Sequence, residues 1–182
     1  MDANKNKRVD RRILIWDRVR GPSAWTAVLS GTFFGAGLLP KMPGTWGTLA
    51  ALPLAWWIAP AAWPIKLVVW LLLLLIGTWS GKRFFELFDV PDNQNIVIDE
   101  VVGVGLTSLF VAREDWKLWI AAFVFFRIFD IVKLPPVGMV DRWSKGKPGE
   151  PLNGWVAGFG VMADDVIAGI QGLLILLLIS RF

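Results

Sequence analysis

Six carboxylates in this chain stand out because of the residues around them. Asp164 and Asp165 lie side by side in "FGVMADDVIAGI" (159–170), which runs on through "QGLLILLLIS" and is otherwise built for hydrocarbon. Asp99 and Glu100 open a second apolar run, "IDEVVGVGLTSLFVA" (98–112). Asp130 closes a third, "KLWIAAFVFFRIFDIVK" (117–133), and Asp141 follows in the next connection. An acid at the centre of a membrane helix costs about 2.5 to 3.5 kcal/mol, while each Leu, Ile or Val returns only about 0.3 to 0.6. Two central aspartates would cancel about ten apolar residues, so the pair must lie near the end of a span or be compensated by the protein. Clustered oxygens suit a divalent cation such as Mg²⁺, Mn²⁺ or Ca²⁺. The chain has no Cys, His or Tyr. That excludes disulfides, a thiolate nucleophile, a phosphohistidine, a His-based triad and an imidazole zinc site. Any chemistry must use carboxylates, Lys/Arg, Ser/Thr or a bound ion.

Two segments could hold a phosphate. In "FFRIFDIVK", Arg127, Asp130 and Lys133 are spaced three apart, along one helical face. Alone they read as a ladder of intrahelical ion pairs worth a few tenths of a kcal/mol each. Beside a carboxylate–metal cluster the two cations could instead neutralise a phosphoryl group, with Arg offering a fork to its oxygens. In "GAGLLPKMPGTWGTLAALP" (35–53), Gly44 and Gly47 interleave with Thr45 and Thr48 just before an apolar run, and Lys41 is close by. Backbone N–H groups, hydroxyls and a helix N-terminus could face an anion there. The order is not that of a P-loop. The competing reading is small residues that let helices pack closely.

The elements that must position these residues are helical. At 182 residues, 55% hydrophobic and twelve tryptophans, the chain is too apolar for an ordinary soluble domain of its size. The expected architecture is an all-α integral membrane bundle. Apolar runs at 47–60, 64–80, 98–112, 117–133 and 161–180 give four or five spans, of which 64–80 is the clearest. Residues 1–20 hold seven Lys/Arg (Lys5, Lys7, Arg8, Arg11, Arg12, Arg18, Arg20) against three Asp, the whole of the formal net charge of +4. A basic segment over 1–22 therefore precedes a membrane-embedded domain over 23–182. The segment reads as a short interfacial helix or a solvated arm facing anionic lipid headgroups rather than nucleic acid, and it is no secretory signal. Lys/Arg placement puts the N-terminus, Lys82, Arg83, Arg142, Lys145 and Lys147 on the cytoplasmic side, with Arg113, Lys117 and Arg181 on the far side. Asp99 and Glu100 then begin the third span, Asp130 ends the fourth, and Asp164 and Asp165 begin the fifth, so all six acids converge on the inner face. Neighbours on a helix point about 100° apart, so one of each pair is expected to face an ion directly. A purely structural alternative is that acids at helix starts favour N-terminal dipoles.

The blocks "PGTWGTLAALP" (43–53), "IVIDEVVG" (96–103), "FRIFDIVK" (126–133), "DR" (141–142) and "GVMADDVIAGI" (160–170) occur in an order that resembles the bacterial phosphatidylglycerophosphatase A family, over roughly residues 31–170. The resemblance implies an Mg²⁺-dependent phosphoric monoester hydrolase of the inner membrane, removing the terminal phosphate of phosphatidylglycerophosphate. It implies that Asp99, Glu100, Asp130, Asp141, Asp164 and Asp165 serve the metal or the reaction. Arg127, Lys133 and the PGTxGT loop would lie at the phosphate. The chain departs from the family pattern at "KLPP" (133–136), in a long loop covering 145–158, and at "PDNQN" (91–95), where the family often carries histidine. Headgroup recognition is where such departures would tell.

The expected mechanism is hydrolysis at the cytoplasmic face: Mg²⁺ held by two or more carboxylates polarises the phosphomonoester, and a remaining carboxylate serves as base for water. Arg127, Lys133 and Lys41 would stabilise the transferring phosphoryl group. The competitor from another class is a cation-coupled transporter, which would place acids near the midplane of discontinuous spans and usually carry an internal repeat. No repeat is evident. A phosphatidyl-transferring synthase is disfavoured because no Asp-Gly dipeptide occurs. Nothing in the sequence sets the oligomeric state.

Overall fold

The computed structural model describes residues 14–144 and 152–180. Most of the basic N-terminal segment and the loop carrying Lys145 and Lys147 lie outside them. Seven α-helices and no strand occur among the described residues: α1 (Gly21–Gly31), α2 (Pro43–Ile58), α3 (Trp63–Phe88), α4 (Ile98–Thr107), α5 (Trp116–Val132), α6 (Val137–Ser144) and α7 (Gly154–Ile179). From the basic segment, one 3-10 turn at Trp16–Arg18 leads into α1, and Arg18 donates to the Leu87 carbonyl at 3.0 Å, tying it to the end of α3.

Two helices, α3 and α7, are long and apolar enough to cross a membrane. The other apolar runs form shorter helices: 16 residues in α2, 17 in α5 and 10 in α4. At about 1.5 Å per residue, α4 rises only about 15 Å, half the hydrocarbon thickness. It is also the most enclosed element, with Ile98, Val101, Val102, Val104 and Thr107 all buried. It packs on α2, α3, α5 and α7, and α7 in turn packs on α3, α5 and α6.

Close helix approach explains where the expected boundaries of α7 fail. Residues 154–158, "GWVAG", read from sequence as the tail of a long Gly-rich loop, with the last apolar run starting at 161. In the fold α7 begins seven residues earlier, and its glycines are contact points instead of breaks. A Cβ on Gly81 of α3 would sit 2.9 Å from the Gly158 Cα, so the two backbones meet where neither has a side chain. The consequence for the acids is large. Asp164 and Asp165 do not begin the helix but lie about 15 Å along it, on a buried face.

On the other side of α7, a Cβ on Gly103 would meet the Asp165 carbonyl oxygen at 2.9 Å, and one on Gly169 would meet the Gly103 Cα at 3.0 Å. The Thr107 hydroxyl lies 3.0 Å from both the Gly103 and Gly169 carbonyl oxygens. The result is that α4, which carries Asp99 and Glu100 in its first turn, is held against the middle of α7.

Candidate active site

All six acids line a single cavity of about 430 Å³. Its walls come from the start of α2 (Met42–Gly44), the loop before α4, the first turn of α4, the last turn of α5, α6 and the first half of α7. Within it, carboxylate oxygens of Asp99, Glu100 and Asp165 lie within 4.8 Å of one another. Asp99 Oδ1 and Glu100 Oε2 are buried with no hydrogen-bond partner among the described residues. Buried polar atoms without partners are rare, and an all-oxygen set of this kind fits a hard divalent cation. Both members of the 99–100 pair reach the triad, because the longer Glu side chain makes up for the 100° step. The 164–165 pair divides as expected, with only Asp165 joining.

The two cations of the cavity are already engaged. Arg127 Nη1 donates to Asp130 Oδ2 at 2.6 Å, the (i, i+3) pair legible in the sequence. Lys133 does not continue that ladder. α5 ends at Val132, and Lys133 adopts a left-handed backbone (φ 50°) before Leu134, Pro135 and Pro136, which cannot extend the helix. The turn swings its ammonium to Asp141 of α6 and to Asp164 Oδ2, the latter at 2.8 Å. Burial pulls the Lys133 pKa down, but the hydrogen bonds and charges of Asp141 and Asp164 outweigh it and hold the pKa above the ordinary lysine value. Lys133 thus compensates for Asp164 in the apolar body of α7.

With Asp92 counted, seven acids line the cavity against Arg127 and Lys133, a formal excess of five negative charges. Such a cavity would repel a phosphate unless a cation entered with it.

The glycine–threonine segment divides. Gly44 lines the cavity, and a Cβ there would collide with Glu100 Oε1 and approach Arg127 Nη1 at 3.1 Å, so its bareness makes room for two site residues. Lys41, Thr45, Gly47 and Thr48 are not brought into the cavity. Gly47 abuts Val97 and so docks α2 on the lead-in to α4, while the buried Thr48 hydroxyl donates within α2 to the Gly44 carbonyl at 2.8 Å. The small-residue packing reading describes Gly47. Conversely, Asp92, Asn93 and Gln94 line the cavity although the sequence drew attention to "PDNQN" only as a departure from a pattern. Their signal was a polar turn directly before the Asp99–Glu100 block. Asn93 shapes that turn, its Oδ1 accepting from Asn95 N at 3.0 Å.

A family model described as phosphatidylglycerophosphatase A matches residues 29–180. The chain is 34% identical over 154 residues to the phosphatidylglycerophosphatase A of Escherichia coli (strain K12), covering 84% of this chain and 81% of that protein. It is 34% identical over 148 residues to the phosphatidylglycerophosphatase A of Haemophilus influenzae, covering 81% and 84%. A Bacteroides thetaiotaomicron protein provisionally named a phosphatidylinositol-3-phosphatase is 35% identical over 163 residues, covering 85% and 93%. No solved structure matches the chain.

Proposed function

The chain belongs to the phosphatidylglycerophosphatase A family, and on that premise we propose that it is an Mg²⁺-dependent phosphatase releasing inorganic phosphate from phosphatidylglycerophosphate at the inner face of the bacterial cytoplasmic membrane. The observation that carries the reading is the Asp99–Glu100–Asp165 triad, whose oxygens gather within 4.8 Å inside a cavity that also holds Arg127 and Lys133.

Asp99, Glu100 and Asp165 would hold Mg²⁺. When bound, the ion supplies positive charge to the phosphoryl oxygens and acidifies water. Arg127 and Lys133 pin Asp130 and Asp164 in place, and each keeps donors to offer a phosphoryl oxygen. Asp130 and Asp164 adjoin the triad closely enough to repel its members electrostatically, which makes them the two candidates for taking a proton from attacking water. Asp141 acts through Lys133.

The same layout supports the membrane placement. Arg18, Lys82, Arg83 and Arg142 lie at the cavity end of the bundle and Arg113 and Lys117 at the other, as the positive-inside rule asks. Trp143 and Trp155 are exposed at the first end, Trp57, Trp63 and Trp116 at the second, forming two interfacial belts. α2 and α5 complete a multi-pass bundle as short spans around α4. A transporter is disfavoured because the acids line a cavity at one end of α2, α4 and α5.

The test is phosphate release by the purified protein from phosphatidylglycerophosphate in mixed micelles. Activity is expected to vanish with EDTA and return with Mg²⁺, and phosphatidic acid and a phosphatidylinositol phosphate measure headgroup selectivity. Release that EDTA leaves untouched, or none from any lipid phosphomonoester, refutes the reading.

A further inference from the structure

We propose that the seam between α2 and α5 is the acyl-chain site for the phospholipid substrate, leading from the carboxylate cavity to a second, apolar pocket; the proposal rests on the lipid-phosphatase reading above. α2 and α5 run antiparallel and scarcely touch. One end of their seam is the carboxylate cavity, walled by Met42–Gly44 and by Arg127, Asp130 and Ile131. The other end is a pocket of about 420 Å³ walled by Leu49, Leu52, Pro53 and Trp56 of α2 and Trp116 and Trp119 of α5. Met42 and Ile131 are 65% and 62% exposed and also line the carboxylate cavity, so the apolar path begins inside the site itself. Leu49 is exposed farther along it, on the wall of the far pocket.

The far pocket suits hydrocarbon and excludes a headgroup. Its one charged residue, Arg113, is spent on structure: Nε and Nη2 donate to the Trp56 and Trp57 carbonyls at 3.3 and 3.1 Å, and the guanidinium stacks 4.1 Å over the Trp56 ring. Pro53 has no N–H for the Leu49 carbonyl and crowds it, which favours a departure from the straight helix where the pocket opens. The dimensions agree. From Pro43 to Pro53 is about 15 Å along α2, the depth of one leaflet's hydrocarbon. A chain esterified to a glycerol at the cavity mouth therefore reaches the Leu49–Pro53 wall without leaving its leaflet. The third cavity, against α7, holds about 30 Å³, too small for a chain.

The experiment uses the full chain in phosphatidylcholine vesicles containing a lipid phosphomonoester with a diazirine near one acyl terminus. Irradiation is expected to label residues within 49–53 and 119–124, and unlabelled lipid phosphomonoester to suppress the label. Label spread over the exposed leucines of α3 and α7, or unaffected by that competitor, overturns the proposal. In parallel, Leu49→Trp narrows the seam. The ratio of turnover on long-chain to deacylated substrate is expected to fall about tenfold, the equivalent of excluding two methylenes from an apolar site. An unchanged ratio counts against it. Competed labelling without phosphate release would leave the acyl site standing and defeat the phosphatase reading instead.

Discussion

Asp165→Asn is expected to stabilise the metal-free protein while disabling the Mg²⁺-bound one. Three carboxylates with oxygens within 4.8 Å repel one another when ionised. At that separation and an effective dielectric of 20, each pair costs about 3.5 kcal/mol. The substitution removes two of the three repulsions and keeps the shape. Hydration and side-chain rearrangement leave about 1–2 kcal/mol of this as a net gain, or about 3–6 °C for a chain of this size. The same change deletes a charged ligand, so Mg²⁺ affinity should fall at least about 100-fold. Thermal unfolding in detergent, with EDTA and across an Mg²⁺ titration, reads both effects in one assay. Wild type should melt below the variant in EDTA and overtake it as Mg²⁺ rises. If the variant melts at or below wild type in EDTA, or both gain equally from Mg²⁺, the triad is not an ion site.

Asp99→Asn, Asp130→Asn and Asp164→Asn should each lower phosphate release at least about 100-fold while the proteins still insert into membranes; full activity in all three would remove the cluster from the chemistry. Lys133→Met leaves Asp164 and Asp141 without their shared cation and should cost about 2–3 kcal/mol, below the range for a fully buried pair because the lysine is one-third exposed. The Lys133 pKa is raised in the folded state, so its contribution is complete below the unfolded lysine value near about 10.4 and is lost only as pH rises through the folded value. The stability gap should therefore hold steady from about pH 8 to about pH 9, above the range in which the partner carboxylates take up protons, and a gap that closes within that window contradicts the pairing. Gly103→Leu would drive a side chain against the Phe126 ring and the Asp165 carbonyl, costing about 1–3 kcal/mol and shifting α7 on α4. With every acid retained, its Mg²⁺-induced thermal shift should nevertheless shrink.

The acids were legible in the sequence because charge in an apolar helix has few economical explanations, and all six reach one cavity although Asp99 and Asp165 are 66 positions apart. Two expectations fail for one reason: tertiary contacts outweigh local preference at those positions. Gly158 looks like part of a loop until α3 supplies a backbone to pack against. Lys133 looks like the next rung after Asp130 until the prolines end the helix and the chain turns toward α6. Gly47 and Thr48 could not be divided from Gly44 by type or spacing, since only the position of Val97 separates docking residues from a lining one. Asp92 and Asn93 were missed because a polar turn carries no periodicity, and its place on the cavity wall depends on how α3 and α4 meet.

The brevity of α4 has a consequence for biogenesis. A ten-residue helix bearing two acids offers an insertion apparatus no stable membrane segment, and its shelter includes α7, made about fifty residues later. α4 must therefore wait at the bilayer surface, or enter only as its partners gather. Because α7 follows α4 in the chain, a chain cut short before α7 would leave Asp99 and Glu100 without Asp165 beside them and open to quality-control proteases.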